Sequence, residues 1–306
     1  MAKGRGMDDG SLTRGGSALK LRGLGTGATW WLQCVASTLL FAAGSMAHAE
    51  VDTATAQALV AKTGMIAQLE GLESQLRATM TAKYSVAGGR GNASAVQMQA
   101  LYEAIGRAYN KDRMIGVVTN MMARKISPAD LGDIDGWYAS PSGRAVEVAE
   151  QRAAADKQPQ DVQVRDGLKA LQRATPQRQG LIADLVKATR LAEEMTDFVL
   201  GSALAMQAGA AISDPTIPPM SVEKLREAVT QQRPSFPQEM AQVALSMSAK
   251  TYEPVADEDL AAYIGFVKSL PGKHFYDAAT SSLEAAMNSA ALSMGRELGR
   301  MRSGQR

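Results

Sequence analysis

Asp130–Val146 reads DLGDIDGWYASPSGRAV, and Asp259–Phe275 reads DLAAYIGFVKSLPGKHF. The two align without a gap, Asp130 against Asp259, at an offset of 129 residues. They share Asp-Leu, a Gly before an aromatic (Trp137, Phe266), a Ser, a Pro, a Gly and then a base (Arg144, Lys273). A period this long predicts a duplicated structural unit rather than a short solenoid repeat. Helix-capping chemistry explains the pattern: Ser140 or Ser269 ends one helix and caps the next, Pro stiffens the first turn, and Gly permits close approach. Leu131, Ile134 and Tyr138 fall at i, i+3 and i+7, as do Leu260, Tyr263 and Val267, so each first helix presents an apolar stripe. Trp137 and Phe266 lie beside that stripe.

Outward from these joints the chain has helical periodicity and no strand alternation. Helices are expected at about 52–82 and 94–125, then from the Ser127-Pro128 start to Ala139, and from Pro141 to about Ala155. Asp156 to Asp161 is the expected linker, with a short helix at about 161–173. A long helix at about 176–211 follows the Thr175-Pro176 cap, and a short one begins after Ser221. The last three start near Pro237, at Asp257 and after Ser269, the final one reaching about Arg302. The expected fold is all-α: a duplicated helical unit forming two similar bundles, residues 50–175 and 176–306, each with a Ser-Pro-x-Gly helix–kink–helix joint.

The N-terminus carries Lys3, Arg5, Arg14, Lys20 and Arg22 against Asp8 and Asp9, followed by the apolar run Ala28–Ala43 and then Ala47-His48-Ala49. Basic leader, apolar core and small-x-small site occur in the order of a secretory signal, so residues 1–49 are expected to be removed between Ala49 and Glu50. Of 33 Lys+Arg and 31 Asp+Glu, the leader holds five bases and two acids, which leaves 28 against 29. A near-neutral surface gives no electrostatic case for nucleic acid. The leader also removes Cys34, the sole cysteine, and with it any disulfide, thiolate metal site or thiol catalysis.

The capped helix carrying Asp130-Leu131, the aromatics Trp137 and Tyr138, and then Ser140, Pro141, Gly143 and Arg144 resembles the family of secreted Gram-negative proteins catalogued as domain of unknown function 2059. The second copy, with Asp259, Leu260, Phe266, Ser269, Gly272 and Lys273, is more divergent, since Leu270-Pro271 replaces the Ser-Pro order. The clear likeness covers roughly 40 residues around each motif. It implies an all-helical periplasmic protein and carries no catalytic residues over.

Most chemistries fail on the residues. His274 is the only mature histidine, too few for a His-based metal site. Asp133-Ile134-Asp135-Gly136 resembles part of a calcium loop, but Leu131 and Ser142 then occupy its first and last ligand positions. Lys62-Thr63-Gly64 lies in a helical pattern rather than on the strand a penicillin-binding site needs. Glu193, Glu194 and Asp197 could be paired carboxylates but read as a solvated helix face. No phosphate loop or dinucleotide fingerprint occurs in the mature chain, so no cofactor and no metal are expected. The Arg-rich end of the last helix (Arg296, Arg300, Arg302, Arg306) could meet an anionic membrane, and an exposed Leu/Met face on the first or fifth helix would make a homodimer.

The expected function is therefore non-enzymatic binding in the cell envelope, of a partner protein or of a peptidic or anionic ligand. The expected site is the pair of joints, with Trp137, Arg144, Phe266, Lys273 and His274. The competing reading is a carboxylate hydrolase acting on an envelope polymer. Export has a direct consequence: N-terminal sequencing of the secreted chain should begin at Glu50, and thiol titration in denaturant should find no free thiol. A thiol in the exported protein would overturn the assignment of the leader.

Overall fold

The protein's structure, a computed structural model, describes residues 50–86, 95–232 and 235–304. Residues 1–49, with the expected cleavage site after Ala49, and residues 87–94 lie outside the described residues; Glu50 is exposed. The described residues are helical and contain no strand. In chain order the helices are α1 (Thr53–Lys62), α2 (Met65–Val86), α3 (Ala95–Ala108), α4 (Lys111–Lys125), α5 (Leu131–Ala139), α6 (Pro141–Ala154) and α7 (Gln160–Arg173). They continue as α8 (Pro176–Ala188), α9 (Leu191–Ser213), α10 (Val222–Gln232), α11 (Phe236–Tyr252), α12 (Asp257–Lys268) and α13 (Leu270–Ser303).

Three segments expected as single helices are each broken in two. Gly64, at φ 71°, turns α1 into α2 and packs so tightly on α6 that an added Cβ would meet Ala154 Cβ at 3.0 Å. Asn110 caps α4 by accepting the Arg113 N–H at 3.0 Å, which separates α4 from α3. Arg190 adopts a left-handed conformation (φ 47°) between α8 and α9, a strained position for a residue with a Cβ. Several caps fall where capping chemistry puts them, with Asp52, Thr175 and Ser221 accepting from Thr55, Arg178 and Lys224. Two do not: Asp130 and Asp257 make no cap, and both side chains turn to other helices instead.

Helix α13 is the spine. Its 34 residues extend roughly 51 Å. It packs along α9 and touches α3, α4, α5 and α12. The α9–α13 contact is backbone-close because small residues line it. A Cβ on Gly295 would overlap the Met206 carbonyl oxygen, and one on Gly209 would overlap that of Leu292. Among the described residues α9 is the one helix long and apolar enough to cross a membrane by length and composition, and a third of its apolar window is buried. Of the methionines of α13, Met287 and Met294 are buried in the core and Met301 is partly buried against it.

The core runs across residue 175, the boundary expected between the two bundles. Buried side chains from both halves form one continuous cluster, from Val51 to Met294. Helix α7 of the first half packs mainly on α11 of the second, α6 packs on α12, and α13 packs on α3, α4 and α5. The expected linker is equally built in: Asp156 pairs with Lys250 at 2.5 Å, and buried Gln163 donates to the Gln158 carbonyl at 2.8 Å.

This packing separates two glycine substitutions sharply. Gly295→Val forces the α9 backbone aside and should lower unfolding free energy by about 3 kcal/mol. Gly265→Ala, on α12 where an added Cβ meets nothing within 4 Å, should be neutral or stabilising by up to about 1 kcal/mol. Urea denaturation of both variants measures the contrast.

Candidate functional site

The two joints have the same local geometry. Ser140 and Ser269 are extended (φ −70°, ψ 157° and φ −69°, ψ 161°) and each ends one helix while capping the next. The Ser140 hydroxyl donates to the Trp137 carbonyl at 2.6 Å and accepts the Gly143 N–H at 2.9 Å. The Ser269 hydroxyl donates to the Phe266 carbonyl at 2.7 Å and accepts the Gly272 N–H at 3.2 Å. The Gly is required because a Cβ on Gly143 or Gly272 would overlap the carbonyl oxygen of Trp137 or Phe266. Pro141 and Pro271 occupy the first and second helical positions, where a backbone N–H would have no intrahelical acceptor and proline has none to offer, which accommodates the one-residue slip.

The joints also meet. Trp137 stacks on Phe266 with ring centroids 4.8 Å apart and planes 6° apart, and on Tyr263 at 5.7 Å. Each Asp-Leu helix then reaches across to the second helix of the other joint. Asp130 bonds His274 (Oδ2 to Nδ1, 2.7 Å), and Asp259 accepts the Ser142 hydroxyl at 2.6 Å. The arrangement is reciprocal but not identical, because His274 stands opposite Ala145 and Ser142 opposite Pro271 in the aligned pair.

Of the five expected site residues, the fold brings Trp137 and Phe266 into contact and leaves no space between them. His274 is engaged by Asp130. Arg144 is folded back, its guanidinium donating to the Ala139 carbonyl at the end of α5. Lys273 is exposed near Asp277, whose carboxyl is pushed up to about 6 by burial, against the pull of His274, Lys125 and Lys273. Trp137 and Phe266 therefore face each other directly rather than across a ligand.

Behind the stacked rings lies a feature not anticipated from the sequence. Glu150, on α6, is 4% exposed. Its Oε1 accepts from the hydroxyls of Tyr252 (2.8 Å, α11) and Tyr263 (2.7 Å, α12), and Tyr263 bonds the Tyr276 hydroxyl in turn. Burial pushes the Glu150 carboxyl up to about 7, the two phenols pull it back, and Glu147 adds a little to the rise. Burial likewise drives the Tyr252 and Tyr263 phenols well above their ordinary range, so both remain donors. The signal was present: Glu150 falls four residues after the core residue Val146, on the buried face of α6.

A neighbouring face of α6 opens on a cleft of about 630 Å³ between α6, α7 and α11. Ala149, Arg152, Ala153 and Asp156 follow the i, i+3, i+4, i+7 spacing, and Met247, Lys250, Thr251 and Pro254 repeat it on α11. Gly167 lets α7 approach α11 so closely that a Cβ there would overlap the Ser246 carbonyl oxygen. Along the rim Asp156 pairs with Lys250 (2.5 Å), Asp166 with Lys169 (3.1 Å) and Glu253 with Arg173 (3.4 Å). Burial raises the Asp156 carboxyl but is outweighed by Lys250, the Gln158 N–H and Arg152, which hold it below the usual range.

The chain matches no family model, no curated protein and no solved structure.

A second carboxylate cluster lies away from the cleft. Glu194 is half-buried and raised to about 7, by burial first and then by Asp197, Glu284 and Glu193, against Arg190. Asp197 is paired with Arg226 at 2.7 Å. Among the described residues no group of acids and histidines is arranged to hold a metal ion.

The Glu150 geometry predicts a pH dependence. Its folded value lies above its unfolded one, so its contribution is fully present below about pH 4.5 and is lost as pH rises through about 7. That interval corresponds to about 3 kcal/mol. Glu150→Gln keeps a neutral acceptor for the two phenols. It should flatten the fall in stability between pH 5 and 8 and be more stable than the parent at about pH 8, by thermal denaturation across the range. A variant with an unchanged pH profile would show that Glu150 is ionised in the fold.

Proposed function

We propose that this is an exported, all-helical binding protein of the cell envelope, built from a duplicated helical unit, with its ligand seat in the cleft between α6, α7 and α11. The observation that carries this reading is the chemistry of the cleft wall. Each of its carboxylates is ion-paired, and no His, Ser, Cys or Tyr lines it. Such a wall can hold a ligand through charge and shape, and its one hydroxyl, Thr251, has no histidine among the lining residues to activate it. The carboxyls raised toward neutrality, Glu150, Glu194 and Asp277, are all outside it. That separation of the raised acids from the cleft weighs against hydrolysis there by paired carboxylates, which needs two of them across a pocket at roughly 5–10 Å.

Export is supported by the order of basic leader, apolar core and Ala47-His48-Ala49, and the duplication by the matching hydrogen bonds of the two joints and their reciprocal Asp contacts. In this reading the joints hold the helices, and the cleft they position does the binding.

Photo-cross-linking in cells separates the two candidate seats. A benzophenone amino acid at position 153 lies in the cleft wall, and one at position 144 lies on the joint surface. Adducts from 153 and none from 144 are expected. Adducts from 144 alone would return the seat to the joints, and adducts from neither would remove the binding reading.

A further inference from the structure

The cleft is not the end of the groove. A second cavity of about 210 Å³, between α7, α8 and α11, is floored by Ala170, Ile182 and Ala249. Arg173 and Glu253 line both cavities, so their ion pair stands as the partition between them. That partition is weak: the two side chains are 71% and 58% exposed and 3.4 Å apart. Exposed pairs of this kind contribute little to stability, so a ligand that offers Arg173 another carboxylate opens the groove at little cost.

Charge and lining then select the ligand. Four bases face the larger cavity against three acids, and Arg152 makes no ion pair among the described residues. Lys169 is held only by an exposed i,i+3 contact to Asp166. No aromatic ring lines either cavity, which removes the stacking face that a nucleobase needs. Small apolar side chains alternate with Gln158, Gln163 and Thr251, a surface suited to an extended backbone with short side chains.

Resting on the cleft reading above, we propose that the groove takes an extended acidic peptide segment, with carboxylates on Arg152 and Lys169 and a further one on Arg173 displaced from Glu253. The Arg173–Glu253 pair is thus a gate that the ligand's own charge replaces.

Isothermal titration of the purified protein with a blocked hexapeptide of alternating Asp and Ala tests this, with the Lys-Ala peptide as comparison. The Asp peptide should bind, more weakly as salt rises, and the Lys peptide should not. Arg152→Glu with Lys169→Glu, both on exposed side chains, should weaken binding at least about tenfold with unchanged circular dichroism. The milder Arg152→Ala should weaken it by a smaller factor. Glu253→Ala frees Arg173 and should tighten it by about two- to fivefold. Equal binding of the two peptides, no binding of the Asp peptide, or binding unmoved by the charge reversals would overturn the proposal. Adducts at position 153 together with failure of the Asp peptide would reject the acidic-peptide ligand while leaving the cleft as the seat.

Discussion

The face-to-face contact of Trp137 with Phe266 is the constraint on which the rest of the molecule depends. Each ring sits one turn before a serine that ends its helix, so stacking them fixes two chain reversals against each other at once. An aromatic pair of this kind is worth about 0.5–1.5 kcal/mol beyond the area it buries. Its larger effect is geometric. With the joints clamped, α6 must run beside α12, and α5 beside α13, which places Glu150 within reach of Tyr252 and Tyr263. The same placement turns a neighbouring face of α6 toward α7 and α11, and the cleft is the space left between them. The Asp130–His274 and Asp259–Ser142 contacts hold this clamp from both sides.

What was legible in the sequence follows the range of the interactions. The joints could be read because Ser, Pro and Gly act on backbone groups within four residues. The break at Asn110 was legible in principle, since Asn is a good cap and Asp112 sits in the first turn of α4. The break at Arg190 was not, because nothing local favours a left-handed arginine. Buried Thr189, bonded to the Leu185 carbonyl, and the packing of α9 on α13 impose it. The shared core was illegible for a related reason. Helical periodicity reports which face is apolar but not which helix covers it, and here the covering helix often belongs to the other half. The site was missed because mixed-charge stripes on α6, α7 and α11 look individually like solvated faces; only their convergence makes a cleft.

The distribution of carboxylates separates holding the fold from holding a ligand. Glu150 is placed where a charge is costly, and its acceptor role for two phenols from different helices ties α6 to α11 and α12. The rim carboxylates Asp166 and Glu253 are placed where charge is cheap and are neutralised by neighbours that solvent can replace. A carboxyl kept near neutrality in the interior specifies packing. Ionised, exchangeable pairs at an opening suit recognition, because each can be traded for a ligand group of the same sign.

The duplication reading also accounts for one cleft rather than two. Taken as copies, the joints lead into helices of very different length: α6 has 14 residues and α13 has 34. Where α6 ends and the chain turns through Asp156, α13 continues beneath α9. The positions of α13 that align with Arg152 and Ala153 are Ser281 and Ser282, and Ser282 is wholly buried. The face that opens as a cleft in the first copy is therefore closed by core packing in the second. The symmetry is broken less by His274 against Ala145, which alters one brace, than by where each second helix stops. A short α6 leaves the opening, and a long α13 fills the matching space with its packing on α9.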